Sequence, residues 1–160
     1  MRIIIFLLVA LLPLSVYSIQ KADFVIVEKS QSKLFLMKNG KVIKEYHVAF
    51  GAEPKGHKQQ EGDERTPEGK YILDYKKSDS SFYKAIHISY PNEQDNKNSI
   101  KLGVSPGGQI MIHGQKNKLG LFSFITQKFN WTNGCIAVKN SEMDEIWNAV
   151  DKGTPIEIKP

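Results

Sequence analysis

Asn39-Gly40 joins two short runs, Lys33-Leu34-Phe35-Leu36-Met37-Lys38 and Lys41-Val42-Ile43-Lys44-Glu45-Tyr46. A two-residue type I′ turn needs positive φ at both central positions, and Asn-Gly meets that need at little steric cost. The pair therefore predicts a hairpin and commits this part of the chain to antiparallel pairing. Comparable runs recur along the sequence. Phe24-Val25-Ile26-Val27 reads as a buried strand, and Lys70-Tyr71-Ile72-Leu73-Asp74-Tyr75 as another. Ile86-His87-Ile88-Ser89-Tyr90 alternates and stops at Pro91-Asn92. Ile110 to His113 and Ile136 to Val138 are brief strands, and Pro155-Ile156-Glu157-Ile158-Lys159 closes the chain. The whole reads as a mainly-β domain.

One helix is well signalled. Ser141 can cap it, and Glu142, Asp144 and Glu145 suit the positive end of the helix dipole. Met143, Ile146, Trp147 and Val150 share one apolar face. Lys152-Gly153 ends it, and Pro155 forbids continuation. This helix is expected to lie on the sheet. Two long irregular stretches, Gly51 to Gly69 and Pro91 to Gly108, are rich in Gly, Pro and polar residues. Loops of that length in a small domain usually serve a site, as cleft walls or lids. Leu119 to Thr126 fits either a short helix or an apolar flap.

The N-terminus reads as an export signal. Arg2 precedes the apolar run Ile3 to Leu12, Pro13 breaks it, and Val16-Tyr17-Ser18 offers a cleavage site. Residues 1–18 are thus expected to be a signal peptide, with an uncleaved anchor as the alternative. Residues 19–160 are expected to form one domain, secreted across the inner membrane to the periplasm or cell envelope. The formal net charge is +5. The lysines are scattered and do not form the clustered basic face that nucleic acid needs, so no nucleic-acid partner is expected. Mild basicity suits an anionic envelope polymer, or simply a solvated surface.

Cys135 is the only cysteine. It has no intramolecular partner, so it is no disulfide staple. It follows Trp131-Thr132-Asn133-Gly134 and leads into Ile136-Ala137-Val138. A tight turn there can present backbone N–H groups beside the sulfur. The alternative is a small buried hydrophobe. A free thiol is mostly protonated at neutral pH and needs a base, and an imidazole serves as one when its other nitrogen is held. Of four histidines, His47 follows Tyr46 in a strand, and His57 sits in a Lys/Gly/Gln loop and reads as solvated. His87 alternates with Ile86 and Ile88. His113, at a strand end before Gly114, is the best candidate for a thiolate–imidazolium pair. One cysteine and scattered histidines make no zinc ligand set, so no metal is expected. No phosphate loop, dinucleotide fingerprint or nucleophile-elbow serine is present, and no cofactor is expected.

These residues resemble the catalytic motif of the YkuD-type L,D-transpeptidases, a His followed downstream by Ser/Thr-x-Gly-Cys. Gly62 to Tyr71, with Thr66-Pro67-Glu68-Gly69, looks like the family's loop entering a strand. Ile88-Ser89-Tyr90-Pro91-Asn92, Pro106 to Gly114 and Trp131 to Val138 look like its YafK-like branch. The resemblance runs from about Phe24 to Lys159. It implies β-sandwich or barrel-like sheets with one C-terminal capping helix and long cleft loops. It also implies acyl transfer on peptidoglycan stem peptides in cell-wall biogenesis. Cys135 would attack, His113 would move the proton, and the Gly114 carbonyl would orient the ring. The N–H groups of Gly134 and Cys135 would hold the oxyanion. The acyl group would pass to an amine or, as the alternative, to water, trimming stem peptides or detaching an envelope protein linked to peptidoglycan. Two departures stand out. Better-known members carry His and Arg where this chain has Asn133 and Ala137. Arg65 is therefore the candidate for a substrate carboxylate, with Thr132 and Asn133 as further substrate contacts. Gln115 to Asn130 reads as an inserted flap.

Overall fold

A computed structural model describes residues 20–118, 120 and 123–160. The expected signal peptide and part of the 119–126 segment lie outside the described residues. In chain order the strands are β1 (Phe24–Glu28), β2 (Lys33–Lys38), β3 (Lys41–His47), β4 (Gly69–Ser80) and β5 (Tyr83–Ile88), then β6 (Met111–His113), β7 (Ile136–Ala137) and β8 (Thr154–Lys159). The helices are α1 (Glu93–Leu102), α2 (Ser123–Thr126) and α3 (Asn140–Ala149). All eight strands belong to one sheet, in the order β3-β2-β1-β8-β4-β5-β6-β7.

The hairpin forms as its sequence requires. Asn39 and Gly40 take φ of 50° and 72°, and Lys38 pairs with Lys41. The chain then leaves β3 at one sheet edge and reaches the other. Ala49 exchanges both backbone hydrogen bonds with Ala137 of β7, at 2.9 and 2.8 Å, and Gly51 bridges Thr132. The twisted sheet therefore curls almost into a barrel, which removes the open edge beside β7. Leu34, Leu36, Leu73, Ile86, Ile112 and Ile156 fill its interior, each no more than 1% exposed.

The expected C-terminal helix is α3, and its apolar face is as read: Met143, Ile146 and Val150 are fully buried and Trp147 packs at their margin. Full burial of each such side chain contributes about 1.5–3 kcal/mol. Its start differs from the reading. Glu142 accepts from the Lys139 backbone N–H at 3.0 Å, so capping falls two residues before Ser141. Asn140 is thereby freed to accept from the Gln115 N–H at 2.8 Å.

Beside the expected C-terminal capping helix, two further α-helices are present among the described residues. The Pro91–Gly108 stretch contains α1, which the sequence conceals because its only large apolar residues, Ile100 and Leu102, are exposed. Its support is polar. Asn92 accepts from the Asp95 N–H and Asp95 accepts from the Asn92 N–H, a reciprocal capping box. The ambiguous segment contains the short helix α2.

The Gly51–Gly69 loop is pinned by two buried lysines. Lys29 donates to Gly56 O, Thr66 O and Glu68 Oε1 at 2.6, 3.0 and 2.7 Å. Lys58 donates to Gln60 O and Asp63 Oδ1. His57, read as solvated, is instead fixed: Nδ1 accepts from the Glu68 N–H, and Nε2 lies 3.1 Å from Asp95 Oδ1. The loop is a wall built from buried polar contacts. Among the described residues no helix is long and apolar enough to cross a membrane.

Candidate active site

The parallel pairing of β6 with β7 sets the geometry. Ile112 stands opposite Ile136, and His113 opposite Ala137. Cys135 therefore falls opposite Met111, and residues two apart along a strand share a face. The 135 and 113 side chains emerge on one face and line a common cavity of about 310 Å³. The Ala49–Ala137 bridge clamps β7 from its other side, so the cysteine turn is held between two partners.

The His113 ring is 4% exposed, and its Nδ1 lies 2.6 Å from the Gly114 carbonyl. A carbonyl can only accept, so Nδ1 carries the proton and Nε2 keeps a lone pair. Phe82 and Trp131 wall the ring, with centroids 4.6 and 5.8 Å away. Burial pushes the His113 pKa down to about 4, against the opposing pull of the Gly114 carbonyl. Burial likewise pushes the Cys135 thiol up, against the Met111 N–H and the Lys58 charge. The thiol rests against the Gln109 carbonyl at 3.6 Å. Burial thus disfavours the expected thiolate–imidazolium pair and favours the neutral form of each group.

A stability effect with a definite sign follows. The ring is neutral in the fold down to about pH 4, while an unfolded histidine takes up a proton near its ordinary 6.5. The unfolded state binds more protons in that window, so stability falls as pH drops from about 6.5 to 4, by about 3 kcal/mol in all. Denaturant unfolding of the wild type and His113→Asn across this range should show the wild type losing more. Parallel curves would refute the neutral buried ring.

The other expected site residues divide. The Gly134 N–H already donates to Thr132 Oγ1 at 3.2 Å, and Thr132 Oγ1 donates to Cys135 O at 2.7 Å. In this geometry the Gly134 N–H braces the turn. Thr132 is 5% exposed, braces the turn and lines the cysteine cavity. The Cys135 N–H has no hydrogen-bond partner among the described residues and remains as a donor. Asn133 is exposed and lines both the cysteine cavity and a neighbouring one. Arg65 lines neither; its guanidinium lies beside Gly56, 3.7 Å from where a Cβ would stand. Sequence reading assigned no role to Phe82, Gln109 or Lys58. Gln109 has φ of 57° after two glycines, and the Pro106-Gly107-Gly108 run is the signal that its backbone is unusual. Phe82 and Lys58 carry no local signal. Among the described residues no group of three or more His, Cys, Asp or Glu could hold a metal ion.

Fold and cleft together define a curled β domain with a thiol and a carbonyl-anchored imidazole in one cavity. The chain belongs to the YkuD family: the model of the L,D-transpeptidase catalytic domain matches residues 22–158. It is 34% identical over 97 residues to YafK of Escherichia coli (strain K12), itself only provisionally named an L,D-transpeptidase. That match covers 59% of this chain and 32% of YafK. Among solved structures it is similar to the helical cell shape determining protein Pgp2 from Campylobacter jejuni, with a TM-score of 0.64 and 25% identity. The alignment covers 86% of this chain and 48% of Pgp2. Mycobacterium tuberculosis L,D-transpeptidase 1 shares the fold, with a TM-score of 0.53 at 15% identity over 86% of this chain and 60% of that one. The chain thus spans about a third of YafK and about half of Pgp2.

Proposed function

We propose that this protein catalyses cysteine-dependent acyl transfer on peptidoglycan stem peptides in the cell envelope, through a thioester at Cys135. The observation that carries this reading is the placement of Cys135 and His113 on one face of β6–β7, in one cavity, with the ring anchored by Gly114. Family membership supplies the substrate class. The similarity to the cell shape determining protein Pgp2 supports a role in cell shape.

The chemistry proceeds from the neutral pair. As Cys135 Sγ attacks the stem-peptide carbonyl carbon, its proton passes to His113 Nε2, and the carbonyl oxygen takes the negative charge. The Cys135 N–H is the donor available to that oxygen. The C–N bond then breaks, His113 returns the proton to the leaving amine, and a thioester remains. An acceptor amine attacks the thioester, restoring the thiol and forming a new amide. Attack by water in the same step would yield a free carboxylate. Phe82 and Trp131 keep the ring out of water until substrate fills the cavity.

The test is incubation of purified protein with tetrapeptide muropeptides, with and without an acceptor amine, followed by mass analysis. Loss of the terminal residue with capture of the amine is expected. Trimmed product without amine capture would reassign the enzyme as a hydrolase. Unchanged muropeptides in both arms would overturn the reading.

A further inference from the structure

We propose that Lys58, not Arg65, is the cation that reads the substrate, and that the cavity beside Asn133 is a subsite for a zwitterionic amino-acid terminus. This inference rests on the stem-peptide reading and names where the peptide's charged side-chain end sits.

The cavity, about 350 Å³, is lined by Lys58, Glu61, Glu64 and Asn133 and floored by Gly107 and Gly108. Asn133 also lines the cysteine cavity, so the two spaces meet at that residue. It lies two residues from Cys135, at most about 7 Å along the backbone. A substrate held at the sulfur can therefore extend a side chain into the second space.

Lys58 is only 3% exposed, yet an ammonium has three donors and two are occupied, by Gln60 O at 3.0 Å and Asp63 Oδ1 at 2.7 Å. Its partner carboxylate is not dedicated to it. Asp63 also accepts backbone N–H bonds from Gln59, Gln60 and Arg65. With two of its three donors occupied, Lys58 keeps one N–H for an incoming carboxylate. Across the cavity no cation lies within ion-pair distance of Glu61 or Glu64 among the described residues; Glu61 has only Ser105 Oγ, at 3.4 Å. A buried ammonium facing two unneutralised carboxylates complements a carboxylate and an ammonium on one carbon. The end of a diaminopimelate side chain carries that pair.

The probes are two synthetic stem tetrapeptides with diaminopimelate as third residue, one with the side-chain carboxylate free and one with it amidated. For the wild type, amidation is expected to raise KM about tenfold or more with little change in kcat. Lys58→Met should raise KM for the free acid by a similar factor and erase the difference between peptides, while Lys58→Arg should keep it. If Lys58→Met does not fold, Arg65→Met decides: a difference between the peptides that survives it supports Lys58, and one that it erases overturns the assignment. Equal KM for both peptides in the wild type would overturn the subsite and leave the acyl-transfer reading standing. Binding to Cys135→Ala separates the converse. Should the wild type turn over neither peptide while Cys135→Ala binds the free acid about tenfold tighter, the subsite stands and the reaction falls. No turnover together with equal binding would overturn both.

Discussion

Cys135→Ala is expected to lower muropeptide turnover by about four orders of magnitude or more, to the level of the uncatalysed reaction. No other thiol exists in the chain to take over the attack. Alanine cannot form the thioester, and the remaining backbone donor stabilises an oxyanion that never arises. The fold should hardly notice. Cys135 is half-buried at a cavity wall, and its sulfur meets only the Gln109 carbonyl, at 3.6 Å, and the Met111 N–H among backbone groups. Its loss should change stability by less than about 1 kcal/mol. Denaturant unfolding beside mass analysis of muropeptides checks both halves. Retained turnover would remove the cysteine from the mechanism, whereas a large loss of stability would mark it as a core residue.

Gly51→Ala is expected to do the opposite, breaking the structure and the site together. A Cβ at position 51 would stand 1.8 Å from the Glu64 carbonyl oxygen and 2.9 Å from the Gly134 nitrogen. Both obstacles are backbone, so no side chain can swing aside. Either the Gly51–Thr132 bridge opens or the Glu64 segment moves, and each holds a wall of the cleft. The expected cost is about 3 kcal/mol or more, at the upper end of overpacking substitutions. Turnover should fall with it, because the turn carrying Cys135 is tied to Gly51 through Thr132. Thermal unfolding measures the first effect. A wild-type melting temperature would show that the segment yields easily, contrary to its dense backbone packing.

Two local rules were legible in the sequence, while the cap of α3 fell two residues before the Ser141 expected. Asn39-Gly40 produced the hairpin because left-handed φ at two successive positions is a property of those residues alone. The apolar face of α3 was legible because Met143, Ile146 and Val150 repeat at helical spacing. The α1 helix was not, since it is held by Asn92, Asp95 and Gly103 with no apolar stripe to mark it. Within the cleft, Cys135, His113 and Gly114 stood out because each sits at the end of a short apolar strand. That Thr132 and Gly134 hydrogen-bond within the turn itself was not legible in the sequence.

By itself the sequence determined a mainly-β chain, one apolar-faced helix near its C-terminus, and a lone thiol with a strand-end imidazole as its candidate site. These are matters of neighbour sterics and periodicity. Only the tertiary structure decided that the sheet would curl until Ala49 met Ala137, that burial would favour the neutral forms of Cys135 and His113, and that Lys58 would line the space beside Asn133 while the Arg65 guanidinium lay beside Gly56. Closure, burial and the reach of a charge depend on residues far apart in the chain arriving together, and no local pattern encodes that arrival.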